Sequence, residues 1–450
     1  MSFKNDPVSR RTALKYAGAL GVAAGAAAQL RAASAQDATP EATAVEYPAP
    51  TAYTPAGPQV EKLVLWTRSS PDSSPNEFNA LQEVAAKYTE YTGTAVELVT
   101  VPDGDFRSRL SLAAPGGDGP DIFGPVAHDW IGEVALQGIA APFTTDDLVG
   151  FEDIPQSTID AVTYNGQMYG YPLMSESLIL FHNNDIVAEA PATWDDLVTK
   201  ATEATHDDVY GFGFQAVEPY YLGAFFHGFG SYIFKNNDGT LDYDDIGLNN
   251  EGGVEAAKFV RDMVANQVPP IPEDVLDQPN AGGFLDGIED AGLLGMRING
   301  PWREPGLQTA GVNYGVAKLP TLPNGNPLQP FSGIQVMEMN AFGEQQDAAK
   351  DLINYFGSSE AVAILVAGFN KPPVHMSLRD AAVEVNPNLA VVMDQVVDAV
   401  PMPNIPQMAQ VWTPWGDAVL GIVSGNVSDD EVQSMLDTAV EQIKANIAAN

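Results

Sequence analysis

Five separated, turn-rich patches hold the residues of this chain that could do chemistry. They are His128-Asp129-Trp130, Glu176, Glu218-Pro219-Tyr220-Tyr221, Asn299-Gly300-Pro301-Trp302, and Met402 to Met408 followed by Trp412. Carboxylates accept hydrogen bonds from hydroxyls, and flat rings cover apolar C–H faces, so the two types together make a polar but stackable cleft suited to a pyranose. Asp129 follows the short apolar run Ile122-Phe123, at the end of a strand where open α/β sheets place ligand contacts. A helix N-cap is the plainer role for it. Glu176 ends the run Tyr171-Pro172-Leu173-Met174-Ser175, which is too apolar for a surface carboxylate. It needs partners, either ligand hydroxyls or a structural cation. Glu218 and Tyr220 set an acceptor beside a ring, and Met402 offers a polarizable contact.

Other chemistries lack their residues. The five histidines show no metal-ligand spacing, and there is no cysteine to complete a zinc site. Neither a G-x-S-x-G elbow nor a G-x-x-x-x-G-K-[ST] loop occurs. No cofactor, metal or catalytic residue is expected, and carboxylate pairs among 59 acidic residues are poor evidence for a glycosidase.

Composition narrows the partners. Lys and Arg number 21 against 59 Asp and Glu, a net charge of −38 that excludes a nucleic-acid partner, because phosphate contacts need clustered cations. Residues 1–35 carry Ser9-Arg10-Arg11, an Ala/Gly-rich apolar run from Tyr16 to Ala28, and Ala33-Ser34-Ala35, which read as a twin-arginine export signal. Residues 36–58, rich in Ala, Thr, Pro and Glu, read as a disordered spacer. The destination is periplasmic, or the outer face of the cytoplasmic membrane. With no cysteine there is no lipid-anchoring residue, and stability must come from a core that 450 residues can supply.

Folding is expected to begin at Val60. A strand over Val60–Trp66, a helix over Asn76–Thr92 stopped by Gly93, and a strand over Ala95–Val101 give a βαβ start to an α/β domain. Further helices are expected at 193–205, 250–265, 344–356, 359–366 and 429–447, with a hairpin turn at Asp238-Gly239.

In this chain order, Tyr171 to Glu176, Asn299-Gly300-Pro301-Trp302 and Met402-Pro403-Asn404-Ile405-Pro406-Gln407-Met408 resemble the bacterial maltose/maltodextrin-binding proteins of ABC importers, from about Lys62 to the C-terminus. The resemblance implies a periplasmic-binding-protein type II fold: two α/β lobes joined by a three-crossing hinge, with the ligand cleft between them. It implies a first lobe from residues 59–174 and 332–381 and a second from 175–331 and 382–450. It implies a monomer that binds a maltodextrin-type oligosaccharide and hands it to membrane permease subunits driven by a separate ATPase. Glu218, Pro219 and Tyr220 match the family motif, Trp302 and Trp412 match its stacking tryptophans, and Arg68 and Asp72 fall in the loop that should face the cleft. Val126 stands where the family carries tryptophan, Trp130 and Gly416 where it carries arginine, with Trp415 as an added ring and Arg107 and Arg109 as replacement donors. These departures leave room for another oligosaccharide, trehalose-like or β-linked. A secreted carbohydrate-active enzyme using Asp129, Glu176 or Glu218 is the reading from a different class.

Overall fold

The computed structural model describes residues 53–449 apart from 238, 277–279 and 426. The export signal and most of the spacer lie outside these residues. The main elements, in chain order, are β1 (Lys62–Thr67), α1 (Pro75–Thr92), β2 (Ala95–Thr100), α2 (Asp103–Gly116), β3 (Ile122–Ala127), β4 (Gly170–Ser177) and β5 (Ile179–Asn183). Then come α3 (Trp194–Ala204), β6 (Tyr210–Gly213), α4 (Pro219–Gly228), β7 (Phe234–Asn237), β8 (Thr240–Ile246), α5 (Glu251–Asn266), α6 (Ala281–Asp290), β9 (Leu294–Asn299) and β10 (Tyr314–Ala317). The last are β11 (Phe331–Met339), α7 (Gln346–Phe356), α8 (Ser359–Phe369), α9 (Asn388–Asp398), β12 (Val400–Pro401), α10 (Trp412–Ser424) and α11 (Asp429–Ala449).

Local chemistry sets these boundaries. β1 alternates, with Leu63, Leu65 and Thr67 buried. α1 opens on Pro75, whose missing N–H is no loss in a first turn, and closes on Gly93, whose φ of 75° suits a residue without a side chain. α3 is capped by Thr193, whose hydroxyl accepts from Asp196 N at 3.3 Å.

Two sheets result. The first runs β12-β11-β3-β1-β2, with β4 paired to β11; β1 is parallel to β2 and β3, and β11 is antiparallel to β3 and β4. The second runs β10-β5-β9-β6. Each has its own core: Leu63, Phe123, Val336 and Phe356 belong to one, Phe212, Phe225, Ile298 and Trp415 to the other. The chain passes from the first sheet to the second at Leu178, because β4 stays in the first sheet through Ser177, three residues beyond the expected 174. It returns at the start of β11, whose first residue, Phe331, still packs in the second core while Ser332 already pairs with β4. The third passage lies beyond 381, since Ala382 and Leu389 still fill the first core while Val392 packs with Ile179, Phe181 and Leu307.

The spacer ends earlier than the sequence indicates. Tyr53 packs edge-on against Tyr355 at 4.8 Å and donates its hydroxyl to Asp351 at 2.5 Å, and Ala56 N donates to the same carboxylate at 2.9 Å. One aromatic ring in an otherwise small, polar segment is enough to dock its last six residues.

Candidate functional site

The two halves meet at a cleft of about 1200 Å³. Its first-lobe wall is charged. Asp129 sits in the 3₁₀ turn that follows β3, and Glu176 sits buried on β4, which pairs with β11. Lys371, just beyond α8, places Nζ 2.6 Å from Glu176 Oε2, and Gln335 of β11 donates to Oε1 at 2.9 Å. Arg68 donates to Gln335 at 3.0 Å, which makes a connected floor. Burial works to raise the Glu176 carboxyl, but Lys371 and Arg68 hold it below the ordinary glutamate value. Asp129 shows the opposite outcome: burial lifts it to about 6 in spite of Arg107 and Arg68. Arg107 lies 3.4 Å from Asp129 Oδ2 and 3.3 Å from Glu133.

The second-lobe wall is aromatic. Glu218 caps α4 by accepting from Tyr221 N at 3.4 Å, and burial raises its carboxyl to about 7. The ring of Tyr220 stands 6.2 Å from Trp302 and 6.0 Å, nearly parallel, from Phe331, and Phe331 meets Trp412 at 5.9 Å. Trp302, Tyr220 and Trp412 line the cleft. The Tyr220 hydroxyl is buried and has no partner among the described residues, and burial together with the charge of Glu176 across the cleft holds its proton more tightly than in a free tyrosine. Trp302 lies flat because Gly300 permits it: a Cβ there would sit 2.1 Å from the indole. Tyr221 donates to Asn299 at 2.9 Å, tying α4 to the end of β9.

Of the residues expected from sequence, Arg68, Asp129, Glu176, Glu218, Tyr220, Trp302, Met402 and Trp412 come together on this cleft. The others are placed elsewhere. Asp72 is exposed outside it, because the Ser70–Ser74 turn, closed by a 3.0 Å backbone bond, throws its tip outward and lines the cleft with Ser73 and Ser74 instead. Trp130 is a buried core residue, packed on Phe106 at 5.5 Å with the Arg107 guanidinium 4.5 Å over its ring. Pro219 is the buried first residue of α4, and Gly416 lies against it. Trp415 is fully buried behind Trp412 and Phe226. Arg109 points away from the cleft and pairs with Asp105, which leaves Arg107 as the replacement donor.

Sequence reasoning missed Lys371, Gln335 and Arg297. Each interrupts an apolar stretch with a charge or amide, and that is the signal which could have found them. Arg297 on β9 is 2% exposed and bonded to Asp286 at 2.6 Å and Glu289 at 2.7 Å; Arg303 joins Glu289 and Asp290 beside it. No group of three or more His, Asp or Glu side chains suited to a metal ion occurs among the described residues.

Two α/β halves, a chain that passes repeatedly between them and a deep polar-aromatic cleft at their junction define a protein that captures a small solute. Residues 72–363 match the family described as bacterial extracellular solute-binding protein, and the chain belongs to that family. It is 30% identical over 378 residues to the Maltodextrin-binding protein MdxE of Bacillus subtilis (strain 168), covering 82% of this chain and 87% of that protein. The Galactooligosaccharide-binding protein of the same organism is 27% identical over 401 residues, covering 86% and 90%. Among solved structures, the Thermus thermophilus maltotriose binding protein bound with maltotriose superposes with a TM-score of 0.77 at 29% identity, covering 86% of this chain and all of that one. The fold is the type II periplasmic-binding fold.

Proposed function

We propose that this protein is the solute-binding component of an ABC importer and captures a maltodextrin-type oligosaccharide. The observation that carries this reading is the division of the cleft into a row of rings, Trp302, Tyr220 and Trp412, with Glu218 beside them, and the carboxylates Asp129 and Glu176 on the facing wall. Rings stack on pyranose faces while carboxylates take the hydroxyls. A volume of about 1200 Å³ exceeds the ~300–1,000 Å³ of ordinary ligand pockets, which favours several sugar units over one. The relatives named for maltodextrin, maltooligosaccharide and maltotriose support the same class of ligand.

Contacts from both walls coexist only when the lobes are closed, so sugar shifts the population toward closure by its differential affinity. The closed, loaded monomer then presents its sugar to permease subunits coupled to a separate ATPase. Export by the twin-arginine signal in residues 1–35 places it where such a sugar would be met. The protein binds its sugar without cleaving it.

A second reading, a different oligosaccharide, is favoured by Val126 and Trp130, both buried in the first core, which leave the cleft with no first-lobe stacking ring at either position. The galactooligosaccharide relative supports it. Thermal shift of the protein without residues 1–35 separates the readings, since a ligand that binds only the folded form raises the melting temperature. Maltotriose is expected to give the largest rise among maltose, maltotriose, trehalose, cellobiose and galactooligosaccharides, and to be recovered intact after incubation. A rise confined to one of the other sugars moves the specificity, and hydrolysis products would establish an enzyme.

A further inference from the structure

The turn that carries Trp302 is held from the other lobe. Pro301–Arg303 form a 3₁₀ turn directly after β9, and Glu304 opens the short helix Glu304–Ala310. At one end of this turn Pro301 O accepts from Asn370 Nδ2 at 3.1 Å. At the other end Glu304, fully buried, accepts at Oε2 from Asn388 Nδ2 at 2.9 Å, from Asn386 Nδ2 at 3.3 Å and from Tyr314 Oη at 2.9 Å. Asn386 Nδ2 also donates to Asn370 Oδ1 at 2.6 Å, which closes a ring of contacts through Pro301, Asn370, Asn386 and Glu304. Asn370 follows α8, whose Phe369 fills the first core, and Asn386 and Asn388 lie between Ala382 and Leu389 of that same core. The turn itself follows a strand of the second sheet, and Trp302 packs against the second core.

Stability alone does not call for these residue types. Burying a carboxylate is unfavourable, and an apolar side chain of similar volume would fill the place of Glu304 without that desolvation. Its charge is met by two amides and a hydroxyl, each drawn from a different point of the chain. Asn370 holds a φ of 56°, a left-handed conformation that asparagine adopts more readily than other residues with a side chain. The next residue, Lys371, sets its ammonium 5.6 Å from the centroid of the Trp302 ring and 2.6 Å from Glu176 Oε2. One short stretch of the first lobe, Asn370-Lys371, therefore reaches the turn, the ring and the carboxylate wall together.

We propose that Asn370, Asn386 and Glu304 are positioning residues for the Trp302 platform: they register this ring of the second lobe against the hydroxyl-accepting wall of the first. The proposal rests on reading Trp302 as a surface on which a sugar stacks. A pyranose held between the two walls must meet the ring and the carboxylates at once. A gap of about 0.5–1 Å already forfeits a quarter to a half of a van der Waals contact, so the spacing between ring and carboxylates decides which sugars fit. The amides fix that spacing at the Trp302 end of the cleft, because they tie both ends of its turn to the lobe that bears Glu176.

Fluorine NMR of the full chain labelled with 5-fluorotryptophan reads the ring directly, the Trp302 resonance being the one lost in Trp302→Phe. Asn370→Gly removes the amide and suits the left-handed backbone. It is expected to move or broaden the Trp302 resonance of the ligand-free protein and to leave in place that of Trp194, which packs among Phe212, Phe225 and Phe259. Asn386→Ala keeps the Asn370 donor, is expected to act in the same direction, and stands in should Asn370→Gly not fold. Glu304→Gln keeps an acceptor and is expected to hold the resonance near its native place. In calorimetric titration with maltotriose, Asn370→Gly is expected to weaken binding about tenfold. Added to Trp302→Ala it is expected to cost nothing further, since a residue that acts through the ring has no effect once the ring is gone. A purely structural role would lower stability and leave the two losses additive. A Trp302 resonance unmoved by these substitutions overturns the proposal, and so do additive losses of affinity. Absence of maltotriose binding by the native protein would instead count against the sugar assigned to the cleft, and the resonance would still decide whether the first lobe positions the ring.

Discussion

Replacing Lys371 with Met removes one half of the ion pair at the cleft floor. Lys371 Nζ and Glu176 Oε2 are 2.6 Å apart, with side-chain exposures of 3% and 8%, so water cannot stand in for the lost cation. Breaking a buried pair in this way costs about 3–5 kcal/mol. Gln335 still donates to Glu176 and Arg68 still exerts its field, which puts the expected loss near the lower end, about 3 kcal/mol. The sign with pH is the sharper test. In the native protein the Glu176 carboxyl lies below its ordinary 4.5, so it contributes stability that is present above that value and lost on acidification. Without Lys371, burial dominates and the carboxyl is raised; the variant then favours the protonated form and loses stability as pH rises through the new value. Urea denaturation from pH 5 to pH 8 is therefore expected to show the two proteins diverging with pH. Adding Glu176→Gln to the variant should recover most of the loss at pH 7. An equal deficit at both ends of the range, or no recovery with Gln, would refute the account of the floor.

Gly300→Ala is expected to weaken sugar binding about tenfold or more with the fold intact, because its Cβ would displace the Trp302 indole 2.1 Å away; calorimetry beside near-ultraviolet circular dichroism reads both. Trp302→Ala should cost about 1–3 kcal/mol of binding, and an unchanged dissociation constant would remove that ring from the site. Glu218, raised to about 7, and Asp129, raised to about 6, contribute stability that is present below their ordinary values and lost as pH rises through 6–7. The ligand-free protein should gain stability from these two groups between pH 8 and pH 5 while sugar affinity falls, and Glu218→Gln should abolish the upper step of the affinity profile. Tyr53→Phe should destabilise by about 1 kcal/mol in urea, since Asp351 keeps Tyr88 Oη at 3.0 Å and Ala56 N at 2.9 Å.

The elements legible in the sequence were those with local signals. Pro75 and Gly93 bracket α1 to within a residue of the expected helix, and Leu63 and Leu65 alternate as β1 requires. The cleft aromatics were legible where a glycine or proline turn presents them, as at Trp302. Trp130 and Trp415 were misread because a ring's role depends on what packs against it, and Phe106, Arg107 and Phe226 come from other elements of the fold. Lys371 and Gln335 were missed for the same reason: Glu176 is 159 residues from Gln335 and farther still from Lys371, and it takes the pairing of β4 with β11 to bring in the one and the bond from Ser175 N to Pro372 O to bring in the other. The dock of Tyr53 was hidden by the composition around it.

The two walls of the cleft are unlike each other, and that separates their evolutionary fates. The row formed by Trp302, Tyr220, Phe331 and Trp412 belongs to one packed core, where any ring change disturbs its neighbours. Arg68, Arg107 and Asp129 reach the opposite wall from loops and helix surfaces that tolerate exchange more readily. A lineage can thus retune which hydroxyls are recognised while inheriting the stacking platform intact, so new diets come from redrafting one wall rather than rebuilding the protein.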